Sequence, residues 1–582
     1  MIRLLKEHRI IFTVLSVLLL IQSFTSDLHN PFRKPIVGDA QGYYAYLPAV
    51  FIYQDLSYKF MDEIHDKYYV ASTSKSFVNT VDGHKVNKYF PGQAVLYAPF
   101  FLAAHGLAVL TGLPADGFSF IYQLFFLIGF WVYFLLGLLF FKKVLLHLGI
   151  SLKVIHVCLI TIVFGTNIFF YSVFDQTVTH VYNFFLCNLL IYLLLKWKQS
   201  FDSGTLICFF GVFALVGIIR PTNILVVGVM LFFIPDWSFW KTFIDHSTRF
   251  KNAWKIFVIA LLIFAIPIVL WKIQTENWIV YSYGKEVFYF DDPHIAEFLF
   301  SYTKGWFVYT PVMFFILIFG FWILFQKDKP RFFSGIVFFT LAVYIFSCWW
   351  CWYYGAGMSQ RVMIDFYIIP GYLLALILNR VQSSFVARNL AYSILVLMIS
   401  FNVAQAFQIK LGIYRWGSPT KEEYWANFLR FKKEAKIFPP YEWKLQLTGF
   451  VDLSELSLVK GTSVSFEGFN ILEANAANQY SAVASTPALS LRKGSKLVMS
   501  FECRSEDEIK DSRIVFVLNN AENFVFFPSE YVSDEWTKMD FLIEPDKELV
   551  TPVEFFIWNA GTPEHLQIRA VSWKLYFTDK YF

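Results

Sequence analysis

The stretch FSFIYQLFFLIGFWVYFLLGLLFF, residues 118–141, decides the fold class of this chain. It contains no charged residue, and its length falls within the roughly 17–25 residues that an apolar helix needs to cross a bilayer. Lys142 and Lys143 follow it directly. The stretch therefore predicts a transmembrane helix with a basic end.

Similar runs recur through the first two thirds of the sequence. Of the 582 residues, 57% are hydrophobic and 16% are charged, more apolar surface than one water-soluble core could bury. We therefore predict a polytopic α-helical membrane protein with about eleven transmembrane helices. The spans are predicted at about 10–26, 118–141, 154–174, 177–196, 204–219, 221–235, 256–274, 306–326, 331–350, 362–379 and 389–409.

The basic residues predict the orientation of these spans. With a cytoplasmic N-terminus, every inner connection carries lysine or arginine, as the positive-inside rule requires. Losing the two short spans at 204–219 and 221–235 would leave the orientation unchanged. We predict an integral protein of the bacterial inner membrane. The inner groups are Arg3/Lys6/Arg9, Lys142/Lys143/Lys153, Lys196/Lys198, Lys241/Arg249/Lys251/Lys255, Lys327/Lys329/Arg331 and Arg380/Arg388.

This orientation places residues 27–117 in a large extracytoplasmic loop. The apolar run from about Gln93 to Leu110 must then not cross, because one more span would move Lys142 and Lys143 outside. We predict that it forms a helix on the outer membrane surface. The transmembrane domain is predicted to cover residues 1–410.

The C-terminal part has a different pattern. Segments such as KLVMSFECRS, RIVFVLNN and VEFFIWN alternate apolar and polar residues and are separated by turn residues. Residues 441–582 are therefore predicted to form an extracytoplasmic all-β sandwich. Helical spacing in KEEYWANFLRFKKEAKIFPP predicts an amphipathic connector over residues 411–440.

Charge and possible metal ligands exclude some function classes. The net charge of +5 is dispersed among apolar runs, so nucleic acid is not an expected partner. Asp291, Asp292 and His294 could bind a divalent metal, but adjacent carboxylates before a proline are more typical of a turn. No spacing requires a metal, so we predict no metal site, and any cofactor is left unknown.

The first outer loop carries two candidate functional residues. Asp39 lies in IVGDAQGYYAYLPAVF just after the first span, where a carboxylate can act as general base on a hydroxyl group. A solvated turn or helix-cap Asp is the alternative. Lys88, in NKYFPG, can pair with a phosphate or can simply extend toward the lipid headgroups. Gln41, Tyr43 and Tyr44 are candidate sugar or acceptor contacts.

Two later junctions between spans also carry ionisable residues. FDQTVTHVYNFF places Asp175 and His180 between two spans, and ionisable groups at such depth are functional candidates because their burial is costly. A polar hairpin tip and a packed neutral imidazole are the alternatives. Arg220, in IIRPTN, needs an anionic partner such as a lipid phosphate or an aspartate, unless it extends to the headgroups.

A third junction combines aromatic residues with an arginine. In CWWCWYYGAGMSQRVMIDF, Trp352 and Tyr353 can stack on sugar faces, and Arg361 can bind a phosphate or pyrophosphate. Ser359 and Gln360 are candidate polar contacts to the sugar or acceptor. The alternative is that the cluster is only an interfacial aromatic belt.

Residues 10–410 resemble the membrane-embedded glycosyltransferases of the GT-C superfamily, which includes protein O-mannosyltransferases and the aminoarabinose transferase that acts on lipid A. Asp39 matches the acidic residue in the first outer loop of that superfamily. Ala40 follows it, so a second acidic role would fall to Asp175. Lys88-Tyr89-Phe90-Pro91-Gly92 resembles the Lys-Pro-Pro-like end of that loop. DQTVTHVYNFF, GIIRPTN, KGWFVYTPV and WYYGAGMSQR resemble segments of family 39-type bacterial proteins.

The resemblance implies an inverting, hexosyltransferase-like enzyme that uses a polyprenyl-phosphate-linked sugar. Asp39, Asp175 and His180 would be catalytic, while Lys88, Arg220 and Arg361 would bind the donor phosphate. The acceptor would be a glycan, lipid or protein hydroxyl, with membrane lipids around the spans. The C-terminal strands resemble carbohydrate-binding jelly-roll modules. The alternatives are a transporter or flippase of a lipid-linked saccharide and a non-catalytic envelope assembly protein.

Overall fold

A computed structural model gives the architecture of the chain. It describes residues 7–25, 35–69, 76–414, 419–431, 444–450, 462–466, 469–474, 481, 483–491, 495–505, 507, 509, 512–518, 522–526, 534–544, 549–558 and 565–577. Two compact units divide the chain, residues 1–410 and residues 411–582. The first unit is helical and the second is rich in β-strands, and each is described below by itself.

The helical unit contains long apolar helices joined by short helices and one hairpin. Its hairpin pairs the antiparallel strands Val78–Val81 and His84–Asn87. Short 3-10 helices cover Pro221–Leu225 and Arg361–Phe366. The α-helices are Arg9–Thr25, Asp39–Phe51, Met61–Tyr68, Gly92–Thr111, Phe120–His147, Leu152–Phe164, Ile168–Val173, His180–Ser200, Ser203–Ile219, Val226–Phe233, Trp237–Thr248, Phe250–Thr275, Ile295–Phe300, Trp306–Tyr309, Pro311–Lys327, Lys329–Ser347, Ile368–Val381 and Phe385–Lys410.

Several of these helices have the dimensions of membrane spans. Among the described residues, 6 helices are long and apolar enough to cross a membrane. Shorter apolar helices accompany them, and most fall where spans were expected. This chain is a helical membrane protein, while the count of eleven spans stays a prediction. The six are Gly92–Thr111, Phe120–His147, His180–Ser200, Lys251–Thr275, Lys329–Ser347 and Phe385–Lys410.

The helix Gly92–Thr111 covers the apolar run that was predicted to lie on the outer membrane surface. We predicted a surface helix there, yet this helix meets the same length and hydropathy criteria as the other candidate spans. It begins after Pro91 and ends at Gly112, whose φ of +70° terminates it in a left-handed conformation. Length and composition therefore do not distinguish it from a crossing helix.

Four predicted spans are interrupted in the structure, and one of them, 221–235, begins as the 3-10 helix Pro221–Leu225. The run 154–174 breaks near Gly165, because the Thr166 hydroxyl donates to the carbonyl of Ile162 and accepts from the backbone N–H of Ile168. The run 306–326 breaks at Pro311, which starts a new helix as its fixed φ favours. The run 362–379 likewise begins as the 3-10 helix Arg361–Phe366. The two 3-10 helices contribute Pro221, Thr222 and Arg361 to the site described below.

The second unit contains two main antiparallel sheets. Residues of both sheets, including Phe501, Phe516, Phe555 and Trp573, form one hydrophobic cluster, so the strands predicted in this region pack as a sandwich. Jelly-roll strand order stays a prediction. The strands are Lys444–Phe450, Thr462–Phe466, Phe469–Ala474, Ala484–Ser485, Leu489–Leu491, Ser495–Arg504, Arg513–Leu518, Glu522–Phe526, Thr537–Ile543, Leu549–Thr551, Val553–Trp558 and Leu566–Phe577.

Only part of the predicted connector can be compared with the structure. The described helix there is Lys421–Ala426, whose N-cap Thr420 accepts a hydrogen bond from the backbone N–H of Glu423. Residues 415–418 and 432–443 lie outside the described residues. The amphipathic connector therefore stays a prediction.

Candidate active site

Asp39 is the first residue of the helix Asp39–Phe51 and lies beside a second ionisable group. One carboxylate oxygen accepts a hydrogen bond from the Arg361 guanidinium at 2.8 Å, and the other accepts one from the Tyr89 hydroxyl at 2.7 Å. Each carboxylate oxygen has two lone pairs, so both keep capacity for a further donor. The helix N-terminus adds a favourable field for the negative charge.

The charge state of Asp39 follows from these neighbours. Burial alone would raise the pKa of this carboxyl group. The positive charge of Arg361, the hydrogen bond from Tyr89 and the charge of Lys88 together outweigh burial and lower the pKa below the ordinary 3.8. Asp39 is therefore an ionised carboxylate at neutral pH.

Lys88 directly follows the strand His84–Asn87. Its side chain lines the same cavity as Asp39. Its ammonium group forms an ion pair with Glu286 at 2.9 Å, and both side chains are largely enclosed. The neighbouring Tyr89 ring lies 4.3 Å from the ring of Tyr43. Glu286 was not among the expected residues, since it lies in a predicted outer loop with no pattern to distinguish it.

Arg220 ends the helix Ser203–Ile219, where Pro221 prevents its continuation. One guanidinium nitrogen donates to the Nε2 atom of His180 at 2.9 Å, and the group lies 5.8 Å from the Tyr354 ring centroid. Within the part of the chain that the structure describes, no carboxylate oxygen lies within 4.0 Å of this guanidinium. Arg220 thus differs from Arg361 and Lys88, each of which has an anionic partner.

The loop that leads to Arg361 has an unusual backbone. Positive φ values occur at Tyr354, Gly355, Gly357 and Ser359. The backbone N–H of Met358 donates to the Tyr171 hydroxyl at 3.0 Å. A loop whose residues adopt sparsely populated backbone conformations needs contacts that hold it in place. The hydrogen bond to Tyr171 is one such contact, and it lies close in sequence to Arg361, the first residue of the 3-10 helix.

Lys304 is a second anchor of this loop that sequence reasoning missed. Its ammonium group donates to the carbonyl of Gly355, and the side chain is 2% exposed. Burial, together with the positive charge of Arg361, lowers the pKa of Lys304 to about 7. The signal in the sequence is the lysine of KGWFVYTPV, an ionisable residue just before the predicted span 306–326.

One cavity of about 430 Å³ is lined by Asp39, Lys88, Arg220, Glu286 and Arg361, among others. It brings together segments that are far apart in the sequence and mixes charged with aromatic groups, as ligand-binding cavities commonly do. Three of its side chains are cationic and two are anionic. The walls are formed by Asp39, Tyr43, Lys88, Tyr89, Phe90, Arg220, Pro221, Thr222, Val280, Tyr281, Ser282, Tyr283, Glu286, Phe288, Trp349, Trp350, Cys351, Tyr354, Gly355 and Arg361.

The cavity walls include five of the residues expected from the sequence: Asp39, Tyr43, Lys88, Arg220 and Arg361. The other expected residues lie outside these walls. Among them, Tyr44 donates to the carbonyl of Gly117 and is enclosed by aromatic rings. The residues outside the walls are Gln41, Tyr44, Asp175, His180, Trp352, Tyr353, Ser359 and Gln360.

Most of these remaining residues are buried. Asp175 accepts hydrogen bonds from the backbone and hydroxyl groups of Thr177, and burial raises the pKa of its carboxyl group. Ser359 donates to the carbonyl of Trp306, and Gln360 is fully buried. Trp352 stacks against His294. Their expected roles stay predictions.

His180 and Asp365 form a buried pair behind Arg220. The Nδ1 atom of His180 lies 2.7 Å from a carboxylate oxygen of Asp365. Sequence reasoning missed Asp365, although a carboxylate inside the apolar run IDFYIIPGYLLALIL was a visible signal, because such groups are costly to bury.

A metal site was not expected from the sequence. Among the described residues, no group of three or more His, Cys, Asp or Glu side chains is placed to hold a metal ion. Asp291 and Asp292 are both exposed.

Comparisons with known proteins give low similarities. No family model and no curated protein matches the sequence. The chain is similar to the arabinosyltransferase EmbB from Mycobacterium smegmatis, with 11% identity and a TM-score of 0.31. That similarity covers 83% of this chain and 60% of EmbB.

Two further similarities involve small carbohydrate-binding modules. One is to the C-terminal CBM6 of LamC, a laminarinase from Zobellia galactanivorans, with 9% identity and a TM-score of 0.17 over 23% of this chain and 100% of the module. The other is to a CBM29-2 mutant complexed with cellulohexaose, with 16% identity and a TM-score of 0.14 over 24% of this chain and 86% of that one. All these TM-scores are too low to carry an argument.

Proposed function

We propose that this protein is a membrane glycosyltransferase of the GT-C type. It moves a sugar from a polyprenyl-phosphate donor to an acceptor hydroxyl group at the extracytoplasmic face of the membrane. The single observation that carries the proposal is that Asp39, Lys88, Arg220 and Arg361 line one cavity although the sequence separates them widely. Such a meeting of an ionised carboxylate with cations suits the transfer of a group from a phosphate.

The charges of the cavity support an anionic ligand. Asp39 with Arg361 and Lys88 with Glu286 form ion pairs, which leaves the Arg220 guanidinium without an anionic partner among the described residues. Arginine binds phosphate through two parallel hydrogen bonds, so Arg220 is suited to this role. A donor phosphate would complete the charge balance.

An apolar groove near the cavity supports a lipid donor. Its volume is about 480 Å³, and its walls come from the helices Asp39–Phe51, Gly92–Thr111 and Phe250–Thr275. Phe90 lines the cavity, and the next residue, Pro91, lines the groove. A polyprenyl chain in this groove would place its phosphate toward the cavity.

The proposed reaction is a single displacement. The acceptor oxygen attacks the anomeric carbon while Asp39 takes the hydroxyl proton. The bond between the anomeric carbon and the phosphate oxygen breaks, and the polyprenyl phosphate leaves with the electron pair. Attack from the face opposite the leaving group inverts the anomeric carbon. Arg220 and Arg361 stabilise the negative charge that develops on the phosphate.

Mass spectrometry of the purified protein with its co-purified lipid tests the donor class. We expect a bound polyprenyl phosphate or its sugar-loaded form. The matched control is the variant Arg220→Gln, which should retain less of this lipid because it lacks the guanidinium. Recovery of bulk phospholipid alone from both proteins would contradict the proposed donor.

A further inference from the structure

The polar network behind Arg220 runs through four residues of three helical segments. Arg220 donates to Nε2 of His180 at 2.9 Å, and Nδ1 of His180 lies 2.7 Å from one oxygen of Asp365. The second oxygen of Asp365 accepts hydrogen bonds from Asn223 at 2.7 Å and Asn183 at 3.1 Å. His180 and Asp365 are each 1% exposed.

The donors and acceptors assign the proton of His180. Arginine has no acceptor atom, so Nε2 of His180 must accept from Arg220 and carries no proton. The proton therefore lies on Nδ1, where it is donated to Asp365. His180 is thus a neutral imidazole whose two nitrogens are both engaged.

We propose that Asp365 and His180 are positioning residues that aim Arg220 into the cavity as its anion-binding group. The proposal deepens the proposed function and rests on it for the identity of the anion as a lipid phosphate. Asp365 selects the tautomer, the tautomer presents Nε2 to Arg220, and the cation–π contact with the Tyr354 ring restricts the guanidinium further. This role for His180 differs from the catalytic role expected from the sequence.

The network is arranged so that it fixes the direction of the charged Arg220 guanidinium. The cation faces the cavity, while the compensating carboxylate is separated from it by a neutral ring. A carboxylate in direct contact would neutralise Arg220, as Asp39 does for Arg361 until Asp39 takes the acceptor proton. The imidazole spacer fixes the direction of Arg220 and leaves its charge available to a ligand.

The variant Asp365→Asn tests this role with little change of shape. The amide group of Asn would donate to Nδ1 of His180, which moves the ring proton to Nε2. Two donors, Nε2–H and the Arg220 guanidinium, would then face each other. We expect Arg220 to turn away from His180 in a density map of the full-length variant, and an unmoved Arg220 would overturn the proposal.

Binding of polyprenyl phosphate to the purified full-length protein provides the functional readout. Because a hydrogen bond to a charged group is lost, we expect Asp365→Asn and Arg220→Gln each to weaken binding about tenfold or more. The double variant should bind no more weakly than Arg220→Gln alone, because Asp365 acts through Arg220. Wild-type affinity in Asp365→Asn, or losses that multiply in the double variant, would overturn the proposal.

A matched control comes from the same helix as His180. Asn188 is buried and, among the described residues, donates only to the carbonyls of Phe184 and Gly137, which do not line the cavity. Asn188→Ala should therefore bind polyprenyl phosphate as the wild type does. A loss of binding as large as that of Asp365→Asn would show that replacing any buried polar residue weakens binding, and it would overturn the positioning role.

Two additions keep the test decisive. If Asp365→Asn does not fold, His180→Phe should lose binding while His180→Gln retains it, because the Gln amide oxygen can accept from Arg220. Equal binding by these two variants would overturn the proposal.

Inorganic phosphate is titrated as a second probe. The same variant pattern with this ion alone supports the positioning role and contradicts the lipid donor of the proposed function.

Discussion

At the scale of single residues, the cavity owes its character to how its charges are paired. Asp39 is held ionised by Arg361, and discharging it requires acid below its ordinary pKa of 3.8. The stability that this pair contributes is therefore present at neutral pH and is lost only as the pH falls through the lowered pKa. Arg220 keeps its charge available because its partner is a neutral ring.

Lys304 gives a pH-dependent prediction with the same sign in a higher pH range. Its pKa of about 7 in the folded protein lies below 10.5, so between these values the unfolded chain binds an extra proton. We expect the wild type to gain stability relative to Lys304→Met as the pH rises from about 7 toward 10. Thermal unfolding in detergent over this pH range measures the difference in stability between the wild type and Lys304→Met. A difference that does not change with pH would contradict the burial of the Lys304 ammonium group.

Individual residues could be predicted from the sequence only where their type and place were both unusual. Asp39, Arg220 and Arg361 were found because they are ionisable groups at the ends of apolar runs. Asp365 has the same signal inside such a run, and we did not use it. Its partner His180 lies 185 residues away, and only folding brings the two together.

At the scale of elements, the loop 351–361 sets the position of Arg361 through its backbone. Gly357 has a φ of +121°, and a Cβ atom there would lie 2.3 Å from the Tyr171 hydroxyl. Gly355 has a φ of +68° with nothing within 4 Å of its Cβ position. The two glycines therefore differ in the free space around the Cβ position. Both have a positive φ, which residues with a side chain disfavour.

Gly357→Ala should disturb this loop more than Gly355→Ala. We expect it to cost about 1–3 kcal/mol of stability and to lower sugar transfer, because the strained loop must move and carries Arg361 with it. Gly355→Ala is the matched control for backbone strain without a clash. Thermal unfolding and transfer assays compare the two, and equal stability of both variants would refute the close packing on Tyr171.

The existence of elements was easier to predict than their interruptions. Apolar length alone indicated the helices Phe120–His147 and Phe385–Lys410. The break near Gly165 depends on hydrogen bonds of the Thr166 side chain, which apolar length does not reveal. The strand Ser495–Arg504 followed from period-two alternation, which is a strong local signal.

At the scale of the whole molecule, the division into two units gives a test of the β-sandwich. The cavity and the apolar groove are built from residues 1–410 only. Sequence patterns predicted the helical and β-rich parts, but the meeting of distant segments in one cavity depends on tertiary packing. The role of the sandwich in carbohydrate recognition is a proposal from the strand pattern.

A variant that ends at residue 410 should separate the roles of the two units. We expect it to keep donor binding and kcat, because its cavity is intact, while the KM for a glycan acceptor rises by about tenfold or more through loss of a tethered binding module. Steady-state transfer assays with the full chain as reference measure both constants. An unchanged acceptor KM would contradict carbohydrate recognition by the sandwich.

The most direct test of the central claim is sugar transfer by Asp39→Asn in proteoliposomes that contain lipid-linked sugars from the source membrane. Asp55→Asn is the matched control, since Asp55 lies in the same predicted outer loop, accepts hydrogen bonds from Ser57 and Lys59, and is absent from the cavity walls. We expect Asp39→Asn to lose about 10²–10⁴-fold in kcat, the contribution of a general base, while Asp55→Asn retains wild-type turnover. Wild-type transfer by Asp39→Asn, or passage of unaltered lipid-linked sugar across the bilayer by the wild type, would contradict the account.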